Sequence, residues 1–197
     1  MERVILARHG ESVFSKRLLL NGDVAVPGPL TPVGEEQARA LARAIAADEI
    51  DVCITSEFER TRQTADLALE GRDVRRVVVP ELNDPRYGSY EGGDLEQYRA
   101  WAGSVASSVA APGGGESRAA IVERYARGFR VVLDRSESTA LVVIHSLPIA
   151  YVLAAHDGNP PEPRVPLVEL AHPYRFSAEE LDAAVRVLED WLAAPTW

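Results

Sequence analysis

The chain of 197 residues reads as an α/β protein built on a largely parallel sheet. Short apolar runs at 3–7, 50–54, 74–79 and 140–144 alternate with segments of helical periodicity. Strands that alternate with helices pair in parallel, because each crossover helix returns the chain to the same edge of the sheet. The first run ends in Arg8-His9-Gly10, and open α/β sheets bind ligands outside the carboxyl ends of their strands.

Each element has its own signal. After Thr31-Pro32, a plausible N-cap and first helical residue, Ala38, Leu41, Ala42, Ile45 and Ala46 form one stripe at helical spacing. A second helix is expected from about Phe58 to Leu69. A third, centred on Ile121, Val122, Tyr125, Phe129 and Val132, should begin just after the glycines at 113–115. Ile149 to Ala155 continues the helical pattern beyond the fourth apolar run. Ser177 and Glu180 have the spacing of a capping box, followed by a face of Leu181, Ala184, Val185, Leu188 and Leu192. Val165 to Leu170 reads as a final strand behind a loop carrying Pro160, Pro161, Pro163 and Pro166. Residues 12–30 and 81–116 look too irregular for sheet or helix and are expected to border a functional site, as long structureless connections usually do. No repeat or linker divides the chain, so residues 1–197 are expected to form one domain.

Composition narrows the function. A net charge of −9 disfavours a sequence-independent grip on nucleic acid, which needs clustered positive charge. No apolar run approaches the roughly 18 residues of a membrane span, and no leader segment is visible at the N-terminus. The lone Cys53 lies in an apolar run and is expected to be a buried small hydrophobe, which fits a reducing cytoplasm. In so acidic a chain, arginines concentrated near one histidine point to an anion.

The residues at the strand ends carry the chemistry. A neutral imidazole is a competent nucleophile when one nitrogen is held by a hydrogen bond and the other faces the substrate. Arg8 beside it offers a planar set of donors suited to phosphate, and Gly10 lets a ligand approach the backbone closely. His145 ends the apolar run 140–144, so it falls on the same sheet edge as His9. Arg60 follows the run at 50–54, near a helix start whose free N–H groups also favour an anion.

Five blocks resemble signatures of the histidine phosphatase superfamily, which includes the phosphoglycerate mutases: Leu6-Ala7-Arg8-His9-Gly10-Glu11, Leu30-Thr31 to Ala38, Thr55-Ser56 to Ala65, Leu82-Asn83-Asp84 to Gly88, and Val143-Ile144-His145-Ser146. The resemblance implies a three-layer αβα sandwich with a largely parallel sheet, phosphoglycerate mutase-like. It implies His9 as the phosphorylated nucleophile, with Arg8, Arg60 and His145 holding the phosphoryl oxygens. It implies Asp84 as the acid for the leaving group. Ser15, Ser146 and Glu81 are further expected substrate contacts. No metal or other cofactor is required, and the expected partner is a small phosphorylated substrate, with monomer and homodimer both open.

Two positions depart from the pattern. The family's acid is usually glutamate, and Asp84 is one methylene shorter, with Glu81 as the substitute if Asp84 cannot reach. Ser146 stands where glycine usually follows the second histidine. His156-Asp157 resembles a His-Asp pair of another branch but follows a helical pattern, and His172 has no motif around it. The leading reading is a phosphomonoesterase working through a phosphohistidine. A phosphoglycerate-type mutase needs extra basic residues for a second anion, whereas Arg99 is the only basic residue in the 27 positions from 89 to 115. A non-catalytic phospholigand-binding module has no need of His9.

Overall fold

The computed structural model describes residues 1–197. Along the chain run β1 (Arg3–Arg8), α1 (Pro32–Ala44), β2 (Val52–Thr55), α2 (Glu59–Ala68), β3 (Arg75–Val78), α3 (Leu95–Ala102), α4 (Arg118–Leu133), β4 (Thr139–Ile144), α5 (Ser146–His156), β5 (Pro173–Ser177) and α6 (Ala178–Ala193). The sheet order is β3-β2-β4-β1-β5, with every pairing parallel except that of β1 with β5. Alternation along the strands divides the core between two faces. Val4, Leu6, Ile54, Val142 and Ile144 pack with residues of α4, α5 and α6, while Ile5, Ala7, Cys53, Leu141 and Val143 pack with α1 and α2. This is the expected αβα sandwich. Cys53 is buried as expected, and burial pushes its thiol up to about 12.

Helix starts follow local chemistry. Thr31 caps α1 by accepting from the Gly34 N–H at 3.1 Å, with Pro32 at the first helical position. Ser117 caps α4, and Ser177 with Glu180 closes both halves of the capping box of α6.

Two sequence expectations need correction. Residues 165–169 form no strand; only Leu170 bridges Arg8, and the edge strand is β5, antiparallel to β1. The proline at 166 has no N–H to give a ladder, and the polar groups of Val168 are taken by side chains: its carbonyl accepts from Arg8 at 2.7 Å and its N–H donates to Ser146 Oγ at 2.9 Å. The segment 81–116 is also more ordered than its composition implies, because Asp94 caps α3 within it. Tyr98 and Ala102 of α3 join Leu20, Tyr87 and Ala111 in a separate small core beneath the loops.

Candidate active site

Register builds the centre of the site. Arg8 pairs with Ile144 at the parallel ends of β1 and β4, and the His9 N–H donates to the Ile144 carbonyl at 2.9 Å. The next residues, His9 and His145, therefore stand side by side with ring centroids 5.5 Å apart, both buried. The loop then turns tightly under α1: a Cβ on Gly10 would lie 2.4 Å from the Gly34 carbonyl oxygen. Only glycine fits there, and its N–H is held by Thr64 Oγ1 at 3.0 Å.

His9 Nδ1 lies 2.7 Å from the Gly10 carbonyl oxygen. A carbonyl only accepts, so Nδ1 carries the proton and Nε2 keeps its lone pair. Burial, reinforced by the charges of Arg60 and Arg8, holds the His9 pKa well below its usual value, so the ring is neutral near pH 7.

Arg60, the second residue of α2, ties the parts together. Its Nε donates to His9 Nε2 at 3.2 Å and its Nη2 to Asp84 Oδ2 at 2.8 Å. Nη1 is held by Asn21 Oδ1 at 2.6 Å, and the guanidinium lies 4.1 Å over the Phe58 ring. His145 is fixed from the other side, with Nε2 2.9 Å from Ser56 Oγ and Nδ1 3.3 Å from Asp84 Oδ2. Burial and the neighbouring arginines keep His145 neutral as well.

Asp84 reaches despite its shorter side chain because its loop is clamped. The Asn83 amide exchanges two hydrogen bonds with Glu57, at 2.9 and 2.7 Å, and Arg124 donates to the Asn83 carbonyl at 2.8 Å. Burial raises the Asp84 carboxyl pKa, against the pull of Arg60 and Arg8. Glu81 does not join the site. It lies on the short turn Pro80–Leu82 with its Cβ against Gly128 of α4, outside the cavity lining.

The cavity in front of His9 encloses about 100 Å³. Arg8, His9, Arg60, Asp84, Ser15 and Ser146 all line it, and His145 lies behind them. Ser15 hydrogen-bonds within the loop to Ser12, and Ser146 anchors Val168 in the segment that replaces the expected strand. Arg8 donates to that same residue through Nη1, while its Nε is buried without a partner. A buried, unengaged guanidinium nitrogen beside a neutral imidazole is an anion-binding arrangement. Sequence reasoning does not single out Asn21, Ser56 and Thr64, which orient Arg60, His145 and Gly10. Ser56 and Thr64 lie within the third of the five family-like blocks; Asn21 carries no periodic or motif signal. No three His, Cys, Asp or Glu side chains converge as metal ligands, and no helix is long and apolar enough to cross a membrane.

Residues 4–188 match the histidine phosphatase superfamily, branch 1. An adenosylcobalamin/α-ribazole phosphatase from Salmonella typhimurium strain LT2 is 37% identical over 133 residues, which cover 64% of this chain and 64% of the relative, just under two thirds of its length. The protein of that name from Escherichia coli K12 is 31% identical over 169 residues, 81% of each chain. The crystal structure of the α-ribazole phosphatase from Shigella flexneri superposes with a TM-score of 0.74 at 28% identity, covering 88% of this chain and 89% of that one.

Proposed function

The chain belongs to the histidine phosphatase superfamily, branch 1, and on that premise we propose that it is a phosphomonoesterase acting on a small phosphorylated metabolite through a phosphohistidine on His9. The observation that carries this reading is the His9 ring: neutral, with Nδ1 tied to Gly10 and the Nε2 lone pair turned to Arg60 in a cavity that also holds a carboxyl. Nε2 attacks phosphorus while the ester P–O bond breaks. The leaving oxygen takes the proton of the Asp84 carboxyl, whose raised pKa favours the acid form needed at that moment. Arg8 and Arg60 hold the phosphoryl oxygens as charge redistributes among them, and His145 braces Asp84 from behind. In the second step Asp84, now a carboxylate, takes a proton from water. That oxygen attacks phosphorus, the P–N bond breaks, and inorganic phosphate leaves with Nε2 restored. The names of the two relatives given above support a phosphatase over a mutase, as does the scarcity of basic residues between 89 and 115.

Brief incubation with a good substrate should label the protein with an acid-labile, alkali-stable phosphate. His9→Ala should abolish the label and lower turnover by about 10⁴-fold or more, the scale seen when a nucleophile is removed. Turnover by His9→Ala near the parent rate would sink the mechanism.

A further inference from the structure

Four arginines line the cavity: Arg8, Arg60, Arg99 and Arg118. Arg60 is paired with Asp84 and Arg99 with Glu96. Arg8 and Arg118 have no carboxylate within ion-pair distance, and Arg8 belongs to the phosphate site. Arg118, the first residue of α4, is only 6% exposed. A buried charge is costly unless paired and hydrogen-bonded, yet the single hydrogen bond of this guanidinium is a long one, from Nη1 to Tyr151 Oη at 3.4 Å. Its Nε is buried without a partner, and the hydroxyl of Tyr98, whose ring lies 5.1 Å from the guanidinium carbon, is unpartnered as well.

The Nε–Nη2 edge of a guanidinium is the fork that takes a carboxylate side-on with two parallel hydrogen bonds. At Arg118 the protein leaves that edge without a hydrogen bond and sets the guanidinium over the ring of Tyr98, whose hydroxyl is also unpartnered. The cavity lining mixes polar and apolar side chains, with Leu19, Leu20, Leu95, Leu147 and Val165 among the apolar ones. We infer that Arg118 is a specificity residue that binds a carboxylate on the leaving group, so that the substrates of this protein are phosphomonoesters of small hydroxy acids with an apolar stretch between the two anions. The role extends the phosphatase reading and rests on it. It is not a general consequence of charge, because a protein of net charge −9 repels an additional negative group everywhere that no local cation holds it.

The test uses phosphate esters of ω-hydroxycarboxylic acids of three to six carbons, each paired with its uncharged primary amide, and follows phosphate release. The parent protein should favour the acid over its amide by about 10- to 100-fold in kcat/KM at one chain length at least, the range expected of a hydrogen bond to a charged group. The preference should lie in KM. Arg118→Met keeps the volume and should bring that ratio close to unity; Arg118→Lys, which keeps a charge without the fork, should leave an intermediate ratio and serves if Arg118→Met does not fold. No acid preference at any length, or a preference that survives the substitutions, overturns the inference while leaving the phosphatase reading intact. If the parent protein cleaves neither the series nor p-nitrophenyl phosphate, the phosphatase reading itself fails, and this inference with it.

Discussion

Arg60 and Arg118 are both buried arginines in one cavity, and they are treated in opposite ways. On the floor, each guanidinium nitrogen of Arg60 is engaged, by His9, Asn21 and Asp84. On the wall, Arg118 has one long contact, to Tyr151. Apart from Asp84, the floor stands on strand ends and the first turn of α2, where ladder register and helix geometry define positions. The wall is assembled from the loop 12–30, α3, the start of α4 and residues 163–168. Transition-state stabilisation needs donors set in place before reaction, whereas a specificity surface completes its hydrogen bonds only when its ligand arrives. The difference assigns the proposed reaction and the proposed choice of substrate to separate parts of this molecule.

The sharpest way to break that division is at Asp84, the floor residue contributed by a loop. Asp84→Asn should slow alkyl phosphates by about 10²- to 10⁴-fold, the usual contribution of a positioned acid. It should slow p-nitrophenyl phosphate much less, since that leaving group needs little protonation. Glu81→Gln should keep the parent leaving-group dependence, because Glu81 lies outside the cavity. The reverse pattern would move the acid off the floor.

A smaller effect is expected with pH. The His9 pKa is depressed, so the nucleophile stays neutral below 6.5 and is lost only where the pH falls through its lowered value. The Asp84 pKa is raised, so its acid form persists above 3.8 and is lost as the pH climbs past its elevated value. For alkyl esters kcat/KM should therefore fall about tenfold per unit on the alkaline side, and Asp84→Asn should flatten that limb. An alkaline limb unchanged in Asp84→Asn would assign it to another group.

The smallest effect belongs to Ser146, which ties the wall segment to the end of β4. Ser146→Ala strands the Val168 N–H, which Ser146 Oγ accepts at 2.9 Å. A buried donor left unsatisfied costs about 1–3 kcal/mol, so the thermal midpoint should drop by several degrees. KM should rise more than kcat falls, as residues 163–168 loosen. A fall in kcat with KM unmoved would place Ser146 on the floor instead.

Much of the floor is legible in the order of residues alone. Arg8, His9 and His145 follow apolar runs whose ends must share an edge once the strands pair in parallel. Arg60 sits where its block and the helix start place it. The run at 165–170 misleads because an apolar stretch between prolines carries the same local signal whether its N–H groups join a ladder or bond to side chains. α3 does carry helical spacing at Leu95, Tyr98 and Ala102, but it spans only eight residues within a Gly- and Ser-rich stretch, too short a run to stand out there.

By itself the sequence determined the ends of β1 and β4, the caps of α1 and α6 and the candidate reacting groups on those strand ends, since these depend on periodicity and on contacts within a few residues. Tertiary structure alone decided that Asp84 rather than Glu81 enters the site, because that choice depends on the Asn83–Glu57 clamp across 26 residues. It also decided that Arg118 is buried in the cavity without a counter-charge, for whether a charge has a partner is a fact about space and not about order along the chain.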